Sequence, residues 1–227
     1  MSAEAGKRAA AAAAVALVEP DMRLGIGTGS TAEHFVHLLA ERVADGLAVV
    51  GVPTSERTAA LCRERGVALS DLSATPVLDL AVDGTDEFDP ALNLIKGGGG
   101  AHLREKIVAS CARRFVVIAD PSKRVDRLGT FALPVEVIAM AERPLSERLA
   151  ALGAEVVLRR RNGETVLTDE GNPILDCRFG PTIAEPAALA ARLSAMPGVV
   201  EHGLFCGMAE RVIVGSPDGA ETVFPAT

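Results

Sequence analysis

Tryptophan and tyrosine are absent from the sequence, and only 3% of its residues are aromatic. Without tyrosine there can be no tyrosyl proton donor, and so few rings argue against a platform for stacked nucleic-acid bases. Acidic residues outnumber basic ones, the net charge is −7, and no basic stripe interrupts this balance. We therefore expect no nucleic-acid partner.

Cysteine is also scarce, and its spacing does not suggest metal binding. The four cysteines lie far apart and form no CxxC pair, which argues against a zinc site and against a disulfide framework. We expect no metal, and thiols that stay reduced in the cytosol. These thiols belong to Cys62, Cys111, Cys177 and Cys206.

No hydrophobic run is long enough to cross a bilayer, so we expect no membrane partner. The N-terminus loosely resembles a signal peptide, because Lys7 and Arg8 precede the alanine-rich segment 9–18. However, Glu4 lies in the basic part, and Pro20 follows the apolar part without a small-residue cleavage site. Since alanine is the best helix former, we predict an N-terminal helix that ends before Pro20, in a cytoplasmic protein.

The sequence does contain enough apolar residues for a well-filled interior, with 48% hydrophobic residues and a mean hydropathy of +0.26. Apolar strands alternate with helices up to Ala119, which predicts a parallel sheet covered on both faces. After Lys123 the order becomes β-α-β-β-α-β, the ferredoxin-like unit. We predict a Rossmann-like α/β catalytic domain over residues 1–130 and 206–227, and an inserted small ferredoxin-like α+β domain over residues 131–205.

The individual elements are predicted from apolar runs whose ends are marked by glycine, proline or polar residues. The predicted strands are Met22–Gly27, Leu47–Val52, Val67–Leu69, Val77–Val82, Phe115–Ala119, Phe131–Val137, Glu155–Arg160, Pro173–Arg178 and Val199–Phe205. The predicted helices after the N-terminal one are Ala32–Ala44, Ser55–Arg65, Leu103–Arg113, Pro144–Leu152 and Pro186–Ala195.

A glycine-rich turn, Gly25-Ile26-Gly27-Thr28-Gly29-Ser30-Thr31, joins the first predicted strand to a helix. Its N–H groups, its hydroxyls and the helix dipole suit one phosphate. It is not a dinucleotide fingerprint, because Ser30 stands where G-x-G-x-x-G requires glycine, and no Gly-Lys-Ser/Thr follows as in a Walker loop. A tight turn with Ser30 or Thr31 as N-cap would also explain these residues, so the motif alone leaves phosphate binding open.

Carboxylates, one lysine and four consecutive glycines follow the strand that ends near residue 82. Asp83 comes directly after this strand, and Asp86 follows three residues later. Parallel sheets bind ligands at the carboxyl ends of their strands, so both acids are well placed for a site. Lys96 precedes Gly97–Gly100, whose N–H groups can form an anion-binding nest, and Glu105 begins the next helix. Each acid has a plain structural alternative, since Asp-Gly is a common turn and a glutamate stabilises a helix N-terminus.

Together these parts suit proton transfer beside a carbonyl group. A carboxylate that removes the proton contributes typically about 10²–10⁴-fold to the rate. A lysine and N–H donors stabilise the enediolate oxygen, each donor by roughly 3–4 kcal/mol by analogy with oxyanion holes. This is the chemistry of an aldose–ketose isomerase that acts on a sugar phosphate, and no nucleotide or metal signature accompanies these residues.

Several segments, in their order and spacing, match one known family. They are Gly-Ile-Gly-Thr-Gly-Ser-Thr (25–31), Val-Asp-Gly-Thr-Asp-Glu (82–87), Ile-Lys-Gly-Gly-Gly-Gly-Ala (95–101), Arg-Glu-Lys-Ile (104–107), Ile-Ala-Asp-Pro-Ser-Lys (118–123) and Leu-Pro-Val-Glu-Val (133–137). Over essentially the whole chain the sequence resembles ribose-5-phosphate isomerase type A. The resemblance implies cofactor-free interconversion of ribose 5-phosphate and ribulose 5-phosphate in the pentose phosphate pathway, by a homodimer or homotetramer.

The resemblance also implies roles for single residues. Glu105 matches the general base, which moves the proton between C2 and C1. Asp83, Asp86 and Lys96 match the polar set that assists ring opening and handles the sugar oxygens. The implied substrate-binding residues, including the two lysines for the phosphate, are Lys7, Thr28, Gly29, Ser30, Thr31, Gly84, Thr85, Gly97, Gly98, Gly99 and Lys123.

Other classes of function compete with this one. An amino-sugar-phosphate isomerase or deaminase, or a coenzyme A transferase with a glutamate nucleophile, could share the fold, although the transferase should show a nucleotide signature. A non-catalytic sugar-phosphate sensor should carry a helix-turn-helix module, and only about 20 residues precede the first predicted strand. His102 is not expected to be a base, because a carboxylate base is already present.

Overall fold

The computed structural model describes residues 2–226; Met1 and Thr227, which the predicted catalytic domain includes, lie outside the described residues. The helices are α1 Ser2–Val15, α2 Ser30–Ala44, α3 Glu56–Glu64, α4 His102–Ser110, α5 Glu142–Ala151 and α6 Pro186–Ser194. The strands are β1 Arg23–Ile26, β2 Val50–Pro53, β3 Leu80–Asp83, β4 Glu87–Phe88, β5 Leu94–Ile95, β6 Phe115–Ala119, β7 Leu133–Val137, β8 Glu155–Leu158, β9 Arg160–Arg161, β10 Glu164–Thr165, β11 Ile174–Arg178, β12 Val199–His202, β13 Leu204–Phe205, β14 Arg211–Ser216 and β15 Gly219–Val223.

The described chain forms two compact units. Unit 1 contains the described residues up to Thr85, the segment Arg104–Arg124 and the described residues from Met208 onward. Unit 2 contains Asp86–Leu103 and Val125–Gly207.

This division differs from the predicted domains at the segment Asp86–Leu103, which the sequence analysis placed in the catalytic domain. The segment clusters with unit 2 because β4 pairs with β5, and β5 pairs with β13. Strands of two residues have no periodicity that a sequence could reveal. That each unit is a domain in its own right stays a prediction.

Unit 1 is built on a six-stranded sheet in the order β15-β14-β6-β3-β1-β2. Every neighbouring pair is parallel except β14 and the edge strand β15. Its inner strands are apolar on both faces, and β6 is buried at every position. The predicted Rossmann-like parallel sheet is confirmed.

The first helix packs closely on this sheet and on α2. Ala10, Ala11 and Ala14 are fully buried, and Gly6 meets Gly215 of β14 so closely that neither position has room for a side chain. The helix ends at Val15, before Pro20 as predicted. No helix within residues 2–226 combines the length and the apolarity that crossing a membrane would require.

Unit 2 contains a four-stranded antiparallel sheet in the order β12-β7-β11-β8. With α5 after β7 and α6 after β11, the chain order is the predicted β-α-β-β-α-β. A small hairpin, β9–β10, is added at its tip, where Asn162 and Gly163 both have positive φ. The ferredoxin-like arrangement is confirmed.

Several element boundaries in unit 1 differ from the prediction, and two of them differ for one shared reason. Helix α4 stops at Ser110 and not at Arg113, and strand β3 starts at Leu80 and not at Val77. Between them, the N–H of Leu78 donates to Cys111 and its carbonyl accepts from Arg113, so these residues pair with each other. The predicted strand Val67–Leu69 is reduced to one bridge between Leu69 and Gly51.

Candidate active site

The loop between β1 and α2 carries the predicted phosphate-binding residues. Gly29 is the N-cap of α2, with φ 113°, and no side chain caps the helix, so neither Ser30 nor Thr31 is the N-cap. Ser30 is exposed and Thr31 half-buried in the first turn, where helical N–H groups have no acceptor within the helix. An anion placed there would meet these N–H groups and the positive end of the helix dipole.

Thr28 differs from its neighbours because its hydroxyl lies among other hydroxyls. Its Oγ1 lies 2.7 Å from Thr54 Oγ1, 2.8 Å from Ser55 Oγ and 3.1 Å from Thr58 Oγ1. The Thr58 hydroxyl in turn donates to the Gly27 carbonyl at 3.0 Å. The Thr28 side chain, predicted as a substrate contact, therefore ties the loop to the start of α3.

Asp83 is the last residue of β3, at the edge where the parallel strands of unit 1 end. Its side chain is buried, and Oδ1 accepts the N–H of Thr28 at 3.1 Å and of Gly84 at 2.7 Å. Gly27 has no side chain, which leaves room for this carboxylate directly against its backbone. Gly84 and Thr85, which follow, are half-buried.

Glu105 lies in the first turn of α4, and 6% of the residue is exposed. It lines a small interior gap of unit 1, too narrow to hold a water molecule, together with Asp83, Gly25, Gly27 and Thr54. Unit 1 therefore places the predicted base and one member of the predicted polar set against the same gap. Asp83 ends β3 and Gly27 directly follows β1, so these two residues lie at carboxyl ends of strands, where parallel sheets bind ligands.

Lys123 ends a 3₁₀ turn, Pro121–Lys123, that directly follows β6. Asp120 caps this turn, since its Oδ1 accepts hydrogen bonds from the Ser122 N–H at 2.9 Å and from the Ser122 hydroxyl at 2.5 Å. Because β6 is parallel to β3, Lys123 follows the same edge of the sheet as Asp83. The cap fixes the backbone from which the half-buried lysine side chain extends.

Lys7 lies on α1, and its ammonium is paired with Glu4 Oε1 at 2.8 Å. Glu4 Oε2 also lies 2.9 Å from His34 Nε2, and the hydrogen bonds from Lys7 and His34 lower the pKa of Glu4. His34 is one turn after Ser30 on α2, so Lys7 lies near the helix that carries the predicted phosphate site. Its charge is balanced by Glu4 in this structure.

In unit 2 the four glycines form a tight turn, in which Gly100 N–H donates to the Gly97 carbonyl at 2.9 Å. Gly97 and Gly100 have φ of 102° and 81°, a region that favours glycine. Asp86 holds this turn, because its Oδ2 accepts the N–H of Gly98 at 2.7 Å. Gly98 and Gly99 are exposed. Unit 2 thus brings together Asp86 and the predicted glycine contacts.

Lys96 is buried in unit 2, with 2% of the residue exposed. Its N–H donates to the Gly203 carbonyl at 2.9 Å, and its Nζ lies 5.5 Å from the centroid of the Phe205 ring. A cation over a ring face is held by the ring quadrupole. A buried ammonium with a fixed position can stabilise developing negative charge without reorganising.

Two further acids of this segment have structural partners. Glu87 is buried, and its carboxylate accepts the N–H of Gly129 at 2.8 Å and of Phe131 at 2.5 Å. Asp89 accepts the N–H and the side-chain amide of Asn93 at 2.8 and 2.9 Å. Their oxygen atoms hold backbone and side-chain donors of unit 2.

His102 is fully buried at the start of α4, beside Gly97. Its Nε2 lies 3.9 Å from Glu136 Oε2. The other Glu136 oxygen accepts from Thr168 Oγ1 and Asn172 Nδ2 at 2.9 Å each, and burial raises the pKa of this carboxyl group. His102 therefore packs into a buried polar cluster of unit 2, in keeping with the expectation that it is not a base.

Arg159 and Asp176, which belong to none of the sequence motifs, approach the glycine turn within unit 2. The Arg159 guanidinium donates to the carbonyls of Gly97 and Gly98 and forms a two-point ion pair with Asp176. Arg159, Asp176, Gly98 and Phe131 line a cleft of about 430 Å³. No local sequence motif can indicate Arg159, because Arg159 lies 62 residues along the chain from Gly97.

Comparison with known sequences identifies the family. A profile of ribose 5-phosphate isomerase A (phosphoriboisomerase A) matches residues 50–219. A ribose-5-phosphate isomerase A of Sinorhizobium fredii is 55% identical, over 98% of this chain and 99% of its own length. One of Roseiflexus castenholzii is 57% identical, over 94% of this chain and 92% of its own length.

Solved structures of the same family share the fold. A D-ribose-5-phosphate isomerase in complex with phospho-erythronic acid is 40% identical, with a TM-score of 0.95 over 99% of this chain and 100% of its own. A ribose 5-phosphate isomerase from Plasmodium falciparum is 35% identical, with a TM-score of 0.94 over 99% of this chain and 100% of its own.

Proposed function

Because the chain belongs to the ribose 5-phosphate isomerase A family, we propose that Glu105 and its neighbours carry out the reaction of that family on this chain. The enzyme is an aldose–ketose isomerase of the pentose phosphate pathway, and it interconverts ribose 5-phosphate and ribulose 5-phosphate. One hydrogen moves between C2 and C1, and no atom is gained or lost. The observation that carries the proposal is that the buried Glu105 and Asp83 line the same small interior gap of unit 1.

Glu105 acts as the general base in this proposal. Its carboxylate takes the proton from C2 of the open-chain aldose, and the electron pair moves through C1 to the aldehyde oxygen, O1. The protonated Glu105 then returns the proton to C1 as the ketone forms at C2, and a proton passes from O2 to O1. The burial of Glu105 supports this role, because a base that is largely shielded from water returns most of the abstracted protons to the sugar and exchanges only a fraction of them with solvent in each turnover.

Asp83, Asp86 and Lys96 handle the sugar oxygens. Ring opening requires a proton to leave O1–H and a proton to reach the ring oxygen, which suits a carboxylate acting with an ammonium group. Lys96 then stabilises the negative charge of the enediolate, a role that its buried ammonium supports. The N–H groups of Gly97, Gly98 and Gly99 supply further donors to the substrate oxygens.

The phosphate binds at the start of α2 in this proposal. Ser30 and Thr31 offer hydroxyls and first-turn N–H groups, and the helix dipole favours an anion there. Lys123 adds a positive charge from the capped turn after β6, and Lys7 adds a second one if it exchanges Glu4 for the phosphate. The support is that Ser30, Thr31 and Lys123 all follow carboxyl ends of strands in unit 1.

We also infer a homodimer or homotetramer in the cytoplasm. The family resemblance supports the assembly, and so do two apolar residues of unit 2, Met140 and Ile138, which are 89% and 44% exposed. Light scattering should give two or four times the chain mass of 23.5 kDa; a monomer at all concentrations would refute the assembly.

The cytoplasmic location is supported by the cysteines. Burial raises the pKa of the Cys62 and Cys177 thiols to about 11 and about 12, which suits cysteines that stay reduced.

The test of the function is turnover without added cofactor. We expect the purified chain, in the presence of a chelator, to convert ribose 5-phosphate into ribulose 5-phosphate, and phospho-erythronic acid to inhibit it competitively. Glucosamine 6-phosphate serves as the control for an amino-sugar-phosphate deaminase and should release no ammonia. Folded protein that leaves ribose 5-phosphate unchanged would disprove the proposal.

A further inference from the structure

One peptide group of the glycine turn in unit 2 is held from both sides. Its N–H, which belongs to Gly98, donates to Asp86 Oδ2 at 2.7 Å. Its carbonyl, which belongs to Gly97, accepts from Arg159 Nη1 at 2.8 Å. Since a peptide group is planar, two hydrogen bonds on opposite sides fix its rotation about the chain. The sequence analysis assigned a role to Asp86 but none to Arg159.

The Arg159 guanidinium is itself fixed in place. Its Nε and Nη2 donate to the two carboxylate oxygens of Asp176 at 2.9 and 2.5 Å, and 13% of the side chain is exposed. Its backbone is anchored as well, because its N–H donates to Ile174 at 2.9 Å and its carbonyl accepts from Val166 at 3.0 Å. Asp176 lies on β11, so the guanidinium is tied to the central part of the four-stranded sheet.

The same guanidinium also sets the direction of the next peptide group. Arg159 Nη1 lies 3.3 Å from the Gly98 carbonyl. In a trans peptide the carbonyl and the N–H point in opposite directions, so the Gly99 N–H points away from Arg159. Gly99 is exposed, and none of the described residues accepts a hydrogen bond from its N–H. A glycine segment would have many other conformations if the guanidinium did not restrict it.

We propose that Arg159 is a positioning residue for the isomerase, which aims the Gly99 N–H at an oxygen of the enediolate. The inference rests on the proposed function, in which the glycine turn contacts the substrate. Arginine suits this task because its planar fork can bind a carboxylate with two N–H groups and still direct a third at the carbonyls. A lysine ammonium is a single point charge and cannot make both contacts in the same geometry.

The test compares Arg159→Ala and Arg159→Lys with the parent enzyme. Misplacement of a donor by about 1 Å can reduce a rate on the order of 10²-fold, so we expect kcat to fall by about 10- to 100-fold in both variants. KM for ribose 5-phosphate should change by less than about threefold, because the affected donor acts on the charge of the transition state. Arg178→Ala is the control, since Arg178 lines the same cleft and, within residues 2–226, its side chain donates to the Thr130 carbonyl alone, at 2.8 Å.

Chemical rescue separates positioning from a general structural role. Guanidinium chloride at millimolar concentration should restore part of kcat to Arg159→Ala, with sodium chloride as the ionic-strength control, and should not raise kcat of Arg178→Ala. If Arg159→Ala fails to fold, the kcat of Arg159→Lys decides. Folded Arg159 variants with kcat within threefold of the parent, or with a change in KM alone, would overturn the inference. A parent enzyme without turnover would refute the proposed function, and the inference with it.

Discussion

Glu105 and Glu87 are both buried glutamates, yet their surroundings differ. Glu87 accepts two backbone N–H groups of the segment 129–131. Glu105 lines a small interior gap together with Asp83, the last residue of β3. Burial alone therefore does not distinguish these two acids, whereas the groups that each carboxylate faces do.

Replacing Glu105 by glutamine tests the base directly. Glutamine keeps the shape of the side chain but cannot accept a proton, so we expect kcat for ribose 5-phosphate to fall by about 10²–10⁴-fold. KM should change little, because the binding residues are intact. Steady-state kinetics at several pH values would check this. The control is Glu64→Gln, an exposed glutamate of α3, which should keep the parental kcat. Near-parental kcat in Glu105→Gln would exclude it as the base.

Replacing Glu87 by glutamine should affect stability and not catalysis. The amide NH₂ would face one of the two N–H groups that the carboxylate accepts, which leaves a buried donor without an acceptor. Such a change typically destabilises by about 1–3 kcal/mol. Urea unfolding should show a lower midpoint at an unchanged slope, while kcat stays close to that of the parent. A loss of kcat in fully folded Glu87→Gln would instead give this acid a part in the reaction.

At the scale of elements, the contact between α1 and β14 depends on two glycines. A side chain at Gly215 would lie 2.6 Å from the backbone nitrogen of Ala10 and would meet the backbone of Gly6. Gly215→Ala should therefore push the helix off the sheet and destabilise the protein by about 1–3 kcal/mol or more. Thermal unfolding would measure this, with Ser216→Ala as the neighbouring control, for which a change within about 0.5 kcal/mol is expected. Equal melting temperatures for both variants would disprove the close packing.

The sequence predicted the longer elements well because their apolar periodicity matches their burial. Strand β6 has the predicted bounds, and α2 ends where it was predicted, at Ala44. Prediction from the sequence failed where hydrogen-bond pairing between residues distant along the chain decides the structure. Strands β4 and β5 have two residues each and exist because β13, more than 100 residues later, pairs with β5. No local pattern carries that information.

The candidate site follows the same rule. Asp83, Asp86 and the glycine turn were predicted because they lie in one short segment with an unusual composition. The contacts of the Thr28 hydroxyl with α3 could not be predicted, since Thr54 and Thr58 follow a different strand. Arg159 was missed for the same reason. An arginine that directly follows a half-exposed strand has no signature of its own until the fold places it beside a carbonyl.

The whole molecule should lose stability in acid partly through Asp79, which lies between β1 and the segment after α4. Hydrogen bonds from Arg23, aided by Arg113, lower the pKa of Asp79 from 3.8 to about 2. Because the folded state lowers this pKa, the contribution is fully present above the unfolded value and is lost as the pH falls from about 4 towards 2.

Asp79→Asn should remove this dependence. The difference in unfolding free energy between parent and variant should be constant above about pH 5 and should shrink as the pH falls from about 4 to 2. Urea unfolding of both proteins at a series of pH values would check it. Asp71→Asn, at an aspartate outside this ion pair, should show no such convergence with the parent. A difference between parent and Asp79→Asn that does not change across this range would contradict the ion-pair account.

The central claim is that this chain isomerises ribose 5-phosphate by moving a proton through a carboxylate. The most direct measurement is proton NMR of ribose 5-phosphate with the enzyme in D₂O and a chelator. We predict that ribulose 5-phosphate forms, and that over many turnovers deuterium enters C1 of the ketose and C2 of the aldose, because the Glu105 proton exchanges with solvent. Absence of ribulose 5-phosphate, or sugars that stay unlabelled long after equilibrium is reached, would contradict the account.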